Sequence, residues 1–269
     1  MSVVTIFSGV FCQGQEVAQA VAAKLGYDLV DDQALAAQVS QQSDLAPAKL
    51  LKAMTDKPGA FNKFTHEKER GVAALKIGMS QLVARDNLVY LGRGAHLVPA
   101  GVANVLRVCL IADLKHRLER GRQQGLNEKE ALARLQRGDE AAHLWVKYLR
   151  DKEAWAGELY DILLPMDKKS LQEAVDLIVD NARSELLASD PKALAQVADF
   201  QLAARVEMAL VGQGHDIRVI AKEGKVLVEI NKKVLMLSRL EEELLRLAKA
   251  VPGVTEVQVK VGPGYYQSD

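Results

Sequence analysis

The sequence predicts an α/β protein: a P-loop three-layer αβα parallel sheet followed by a second, smaller αββαβ domain. Three observations carry this. Near-continuous apolar runs at Val3–Phe7, Leu88–Leu91 and Val105–Ile111 alternate with stretches of helical periodicity, as strands of a parallel sheet covered on both faces require. The first run leads through Gly9-Val10-Phe11-Cys12-Gln13-Gly14-Gln15-Glu16 into a helical pattern, the strand-loop-helix setting of a phosphate-binding loop. Beyond residue 191 the strands change character. Val226, Val228 and Ile230, then Val257, Val259 and Val261, alternate with residues such as Glu229, Gln258 and Lys260, as a sheet with one covered face demands.

Taken in order, Val17, Ala18, Val21, Ala22 and Leu25 recur at helical spacing after Gly14, and Gly26 is placed to end that helix. A short strand, Tyr27 to Val30, runs into the acidic pair Asp31-Asp32. Residues 33 to 85 read as mainly helical, with Ser43-Asp44 before Pro47 as a start signal and Lys57-Pro58-Gly59 as a break. The strands at Leu88 to Leu91 and Val105 to Ile111 are separated by Gly92-Arg93-Gly94. Asp113 is positioned to cap a helix carrying Arg117 and Arg120. Asn127 with Glu130 forms a capping-box pattern opening a helix to about Arg150. Ile162 to Leu164 is a fifth strand, and Ser170 with Glu173 starts a helix through Leu187. Ala188-Ser189-Asp190-Pro191 reads as the beginning of a linker. The division is then a domain over 1–187, a linker over 188–195 and a second domain over 196–269, with a helix from about 193 to 211, strands at Ile217–Ala221 and Val226–Ile230, a helix from about 237 to 250 and a strand at Val254–Val261.

Composition narrows the function classes. Lys+Arg and Asp+Glu each total 35, so no whole-molecule attraction to nucleic acid or an anionic membrane is expected. Residues 186 to 269 carry 11 basic and 11 acidic side chains, so the second domain offers no electrostatic clue either. Two cysteines, Cys12 and Cys109, make neither a disulfide framework nor a metal cluster, and a cytoplasmic location is the expectation. No run of about 18 apolar residues occurs, so no membrane span is expected.

A nucleoside monophosphate kinase needs a cradle for the donor phosphates, an arginine for the acceptor phosphate and an arginine-bearing lid. Gly9 to Glu16, at the start of the first helix, supplies the candidate cradle, because backbone amides and the helix dipole favour an anion there. Arg93, between two glycines just past a strand end, is the candidate acceptor arginine. Residues 115 to 137, with seven basic and three acidic side chains, form the candidate lid, including Arg117, Arg120, Arg134 and Arg137. Each has a plainer alternative. The glycines serve tight packing alone, the arginines of 115 to 137 form a solvated face, and Arg93 pairs with Asp31 or Asp32. The acidic pair itself either positions a metal or a ribose hydroxyl or caps the next helix. Trp145, Tyr148 and Trp155 are spaced for helix packing.

Residues 1 to about 185 resemble the cytidylate-kinase-like family of P-loop proteins. The carrying segments are Ser8 to Ala18, Leu25-Gly26-Tyr27 leading to Asp31, Leu91-Gly92-Arg93-Gly94-Ala95, Leu126-Asn127-Glu128-Lys129-Glu130-Ala131, and Tyr160-Asp161-Ile162-Leu163 leading to Glu173-Ala174-Val175. The resemblance implies an adenylate-kinase-like fold and transfer of the γ-phosphate of ATP to CMP or a related nucleotide with Mg²⁺. In that reading Gly9, Gly14, Gln15 and Glu16 hold ATP phosphates, Arg93 the acceptor phosphate, and Arg117, Arg120 and Arg137 the transferring group. The chain departs from the pattern in three places. Gln15 stands where a P-loop has lysine and Glu16 where it has serine or threonine, in a loop one residue shorter than the family's. Ala141-Ala142-His143 follows Asp139-Glu140 where the family carries a lid arginine, and Pro165-Met166 replaces a polar pair after the last strand. These losses keep a second expectation open, a catalytically inactive pseudokinase acting as a regulatory or scaffold protein.

Residues 196 to 262 resemble a BON domain, through the helix-strand-turn-strand-helix-strand order and Val251-Pro252-Gly253-Val254-Thr255-Glu256-Val257. The resemblance implies a binding module, and hence a protein partner or self-association.

Overall fold

The computed structural model describes residues 2–57, 62–211 and 217–266, with only the backbone of Lys63 and Phe64. The first unit runs β1 (Val3–Ser8), α1 (Gly14–Leu25), β2 (Asp28–Asp31), α2 (Asp32–Gln41), α3 (Pro47–Thr55), α4 (Asn62–Thr65), α5 (Glu67–Val83), β3 (Leu88–Leu91), β4 (Val105–Ile111), α6 (Leu114–Gln123), α7 (Glu128–Arg150), β5 (Ile162–Pro165) and α8 (Leu171–Ala182). Its five strands are parallel in the order β2-β3-β1-β4-β5. The apolar runs are continuous because both faces are covered. Val3, Phe7, Leu88, Tyr90, Val105 and Cys109 join one core with Leu75, Met79 and Trp145, whereas Val4, Ile6, Val89, Val108 and Leu110 join the other with Val17, Val21, Val175 and Ile178.

The capping signals are met locally. Asp113 accepts from the His116 amide, and Asn127 with Glu130 and Ser170 with Glu173 each close a capping box. Ser43 differs from expectation: its hydroxyl donates to the Val39 carbonyl at 2.9 Å and finishes α2, while Ala46 caps α3 without a side-chain bond. The expected break at Pro58-Gly59 lies outside the described residues. The last helix of the unit stops at Ala182, and Ser184 caps a separate 3₁₀ turn over Glu185–Leu187.

The second unit consists of α9 (Pro191–Leu210), β6 (Ile217–Lys222), β7 (Lys225–Ile230), α10 (Leu237–Lys249) and β8 (Glu256–Val261). β7 is central, antiparallel to β6 and parallel to β8. The expected linker over 188–195 is largely absent as such, because residues 191 to 195 are already helix, with Asp190 accepting from the Ala193 amide and Pro191 at the first helical position. That stretch is also tied down. Ser189 donates to Asp86 at 2.8 Å, and the Gln196 side chain accepts from the Ala103 amide at 3.0 Å. Helix α9 is apolar on two sides. Val197 and Phe200 enter the core that contains α5, Leu202, Val206 and Leu210 enter that of the three-stranded sheet, and Lys76 of α5 meets Glu207 at 2.7 Å. No described helix is long and apolar enough to cross a membrane.

Candidate functional site

Three elements meet at the carboxyl end of the sheet: the loop after β1, the turn after β3, and the α6–α7 pair. In the loop, Cys12 donates its amide to the Gly9 carbonyl at 3.1 Å, and two non-glycine residues, Phe11 (φ 64°) and Gln13 (φ 59°), take the left-handed conformation. Each such residue costs on the order of 1 kcal/mol, held in place by the surrounding packing. Gln13 precedes α1 without any side-chain cap, so no side chain of the loop covers the first amides of that helix. Gly14 is a packing requirement, since a Cβ there would lie 2.6 Å from the Ser8 Cβ. Gln15 is exposed at the position of the P-loop lysine. Burial pushes the Cys12 thiol up to about 11 despite Arg117 nearby, which makes it a packing residue and a poor nucleophile.

The turn after β3 is fixed through its backbone. Asp32 accepts from the Arg93 amide at 2.9 Å, the Gly94 amide at 2.9 Å and the Tyr90 hydroxyl at 2.6 Å, while the Trp145 indole donates to the Arg93 carbonyl at 2.8 Å. Burial and the Asp32 carboxylate hold the Tyr90 hydroxyl well above its usual range, so it stays a donor. Gly92 (φ 144°) lets that carboxylate approach, because a Cβ would collide with it. Asp31 accepts from the Ala34 amide at 2.8 Å and caps α2. The acidic pair is therefore spent on backbone. The simple alternative for Arg93, an ion pair with Asp31 or Asp32, does not hold: Asp32 binds its amide, and the guanidinium has no carboxylate partner among the described residues. Its Nε is buried with no acceptor among the described residues.

The helices α6 and α7 are docked on the loop. Arg117 donates from Nε to the Val10 carbonyl at 2.9 Å and makes a two-point pair with Asp139 at 2.6 and 2.9 Å. Phe11 packs with Ala131 and Leu135, close to where a Gly121 Cβ would be, and Arg134 lies 5.3 Å from its ring centre. Arg120 reaches Glu16 at 2.7 Å, so the loop carboxylate is neutralised from α6. Arg137 is exposed, donates only to the Ala133 carbonyl at 3.2 Å, and has no ion pair among the described residues. The solvated-face reading of 115–137 thus holds for Arg122, paired with Glu119 and Glu128, and fails for Arg117, whose side chain is 12 % exposed.

Residues 3–168 match the model of the cytidylate kinase-like family. The chain belongs to that family. Among solved structures, an uncharacterized protein from Eubacterium ventriosum is 14% identical, with a TM-score of 0.50 over 69% of this chain and 100% of its own. A shikimate kinase from Bacteroides thetaiotaomicron is 13% identical, with a TM-score of 0.39 over 68% of this chain and 99% of its own. None of the curated proteins matches the chain. For this cytidylate kinase-like chain the first likeness shows the fold alone.

The family implies Mg²⁺, and the donor set does not fit a metal held by protein side chains. Glu16 is committed to Arg120, Asp31 and Asp32 to backbone amides, and no three His, Cys, Asp or Glu side chains come together among the described residues. The bare helix amides and Arg93 fit an anion instead. Sequence reasoning missed Asp139, Trp145 and Tyr90 as the groups that fix the loop and the Arg93 turn. No local signal marks them, since each meets its partner only through the fold.

Proposed function

We propose that residues 1–187 bind a nucleotide as a cytidylate kinase-like domain, with the phosphates of ATP on the amides of Gly14, Gln15 and Glu16, and the phosphate of CMP or a related nucleoside monophosphate on Arg93. The observation that carries this is the Arg93 guanidinium. Its backbone is held from two sides, its Nε is buried without an acceptor, and Gly92 beside it is hydrogen-bonded to Ile6 of β1, next to the loop. An unmatched buried donor of this kind costs stability unless an anion meets it. Transfer from ATP is slow in this reading, because Gln15 stands where a P-loop lysine would reach the donor phosphates. Titration of the purified protein with ATP, CMP and CDP, with and without Mg²⁺, tests it. Arg93→Ala is expected to weaken CMP binding by roughly 10- to 100-fold, the value of one or two charge-assisted bonds. Unchanged binding in that variant, or no binding by the wild type, would sink the proposal.

A second reading, a pseudokinase that acts as a scaffold through a BON-like domain at 196–269, is favoured by one observation: Arg117 and Arg120, two of the three proposed transfer arginines, are already matched by carboxylates of this chain. The double substitution Gln15→Lys and Glu16→Ser frees Arg120 and supplies the missing cation. A slow kinase should gain at least about tenfold in phosphoryl transfer from it, whereas a scaffold should gain none, as measured by ADP release with CMP present.

A further inference from the structure

On the opposite side of β1 from α1 lies a cavity of about 290 Å³ whose lining includes Phe7, His96, Arg107, Arg150 and Tyr160. Both arginines are largely withdrawn from water, and both are held by main-chain carbonyls. Arg107 donates to the carbonyls of Val105, Pro99 and Val102, and Arg150 donates from Nη2 to those of His96 and Val98 at 2.7 and 2.6 Å. The Nε and Nη1 donors of Arg150 have no acceptor among the described residues, and Arg150 has no carboxylate partner there. The nearest compensation is Asp161, which binds the Arg107 amide at 2.7 Å and stands 3.9 Å from its Nη1.

The charge balance indicates what is missing. Glu158 in the lining is matched by Lys152 at 2.5 Å. Arg218 of β6 does not line the cavity; its side chain is exposed and stands 4.0 Å from Glu229. The lining is left with Arg107 and Arg150 against Asp161, two charges against one. Both guanidiniums have their pKa lowered, chiefly by burial, and Arg150 further by Arg107 and Arg218. Two largely buried cations in one lining with a single carboxylate against them are costly. Phe7, Tyr160 and the His96 ring contribute aromatic surface to the lining.

We infer that this cavity binds a small phosphomonoester, its phosphate on Arg150 and Arg107 and its organic part against Phe7, His96 and Tyr160. The cavity shares no lining residue with the loop after β1.

The test uses the full chain and a thermal-shift titration at constant ionic strength with three probes: phenyl phosphate, inorganic phosphate and sodium chloride. Phenyl phosphate is expected to raise the melting temperature in a saturable way and inorganic phosphate to do so more weakly, with no saturable response to chloride. Arg150→Gln should weaken phenyl phosphate binding by roughly tenfold or more, and Arg150→Lys, which keeps the charge and a donor for the carbonyls, should lose less. Arg93→Ala should leave this binding unchanged, separating it from the nucleotide site. Equal responses to all three probes, or saturable binding that survives both Arg150 substitutions, would overturn the inference. Loss of the phenyl phosphate response in Arg93→Ala would assign the ligand to the other site and overturn it as well.

Discussion

Lowering the pH from 6.5 to 4 is expected to cost the folded protein about 1.4 kcal/mol per pH unit through His96 alone. The side chain is 7 % exposed, with its ring edge-on to Phe7 at 4.5 Å between centroids and to Tyr160 at 5.7 Å. Burial, with a smaller contribution from Arg150, pushes its pKa down from 6.5 to about 3. The unfolded chain takes up a proton near 6.5 and the folded protein does not, so the His96 contribution is fully present above that pH and is lost progressively as the pH falls toward 3. Other groups titrate in the same range, and the measurement is therefore a difference. Urea denaturation of wild type and His96→Gln at pH 7, 6, 5 and 4 should give a stability gap that shifts in favour of the variant by about 1.4 kcal/mol for each unit below 6. A gap that stays constant would mean that the folded protein accepts the proton, and that the cavity beside His96 admits water and ions freely.

Much of the fold was legible because its signals are local. Asn127 and Glu130 are three residues apart and close their capping box with no help from the rest of the chain. The continuous apolar runs of β1, β3 and β4 read as doubly covered strands, and the alternation in β7 and β8 as a half-covered sheet, because the pleat has period two. The misreadings share one cause. Asp190-Pro191 interrupts two helical patterns, which is what a linker does, but aspartate before proline is also a cap and a first helical residue. Only packing decides between them, and Phe200 and Val197 on α5 decide for helix. Ser43 likewise carries both a start and a stop signal, and its hydroxyl chose the carbonyl behind it.

The candidate site was legible in its parts and not in its pairings. Glu16 reads as an objection to phosphate binding because a bare carboxylate repels an anion, and Arg120, 104 residues away, removes the objection by matching it. Arg93 reads as a residue with two carboxylates at hand, yet Asp32 is drawn to backbone amides and the guanidinium is left unmatched. Sequence spacing on α6 places Arg117 and Arg120 one turn apart, roughly on one face, but it does not say that one of them grips the loop's own backbone.

That grip leads to the second large effect. Arg117→Ala is expected to lower stability by about 3 kcal/mol, near the sum for a half-buried two-point carboxylate pair and a bond to a carbonyl, and the melting temperature by roughly 5 to 10 °C. Three acceptors lose their donor together: both Asp139 oxygens and the Val10 carbonyl. The left-handed residues Phe11 and Gln13 depend on this anchoring, since their conformations cost free energy that only the surrounding contacts offset. The loss should therefore be local as well as global, with faster amide hydrogen exchange at Phe11 to Gln13 than at β1. Arg117→Lys should recover little, because an ammonium cannot span Asp139 and Val10 with a planar fork. If the alanine variant melted within about 1 °C of wild type with loop exchange unchanged, Phe11 packing on Ala131 and Leu135 would be sufficient to hold the loop. Arg117 would then be free to swing toward a bound phosphate at little cost, as a transfer arginine must, whereas the expected loss fixes it as the residue that shapes the cradle.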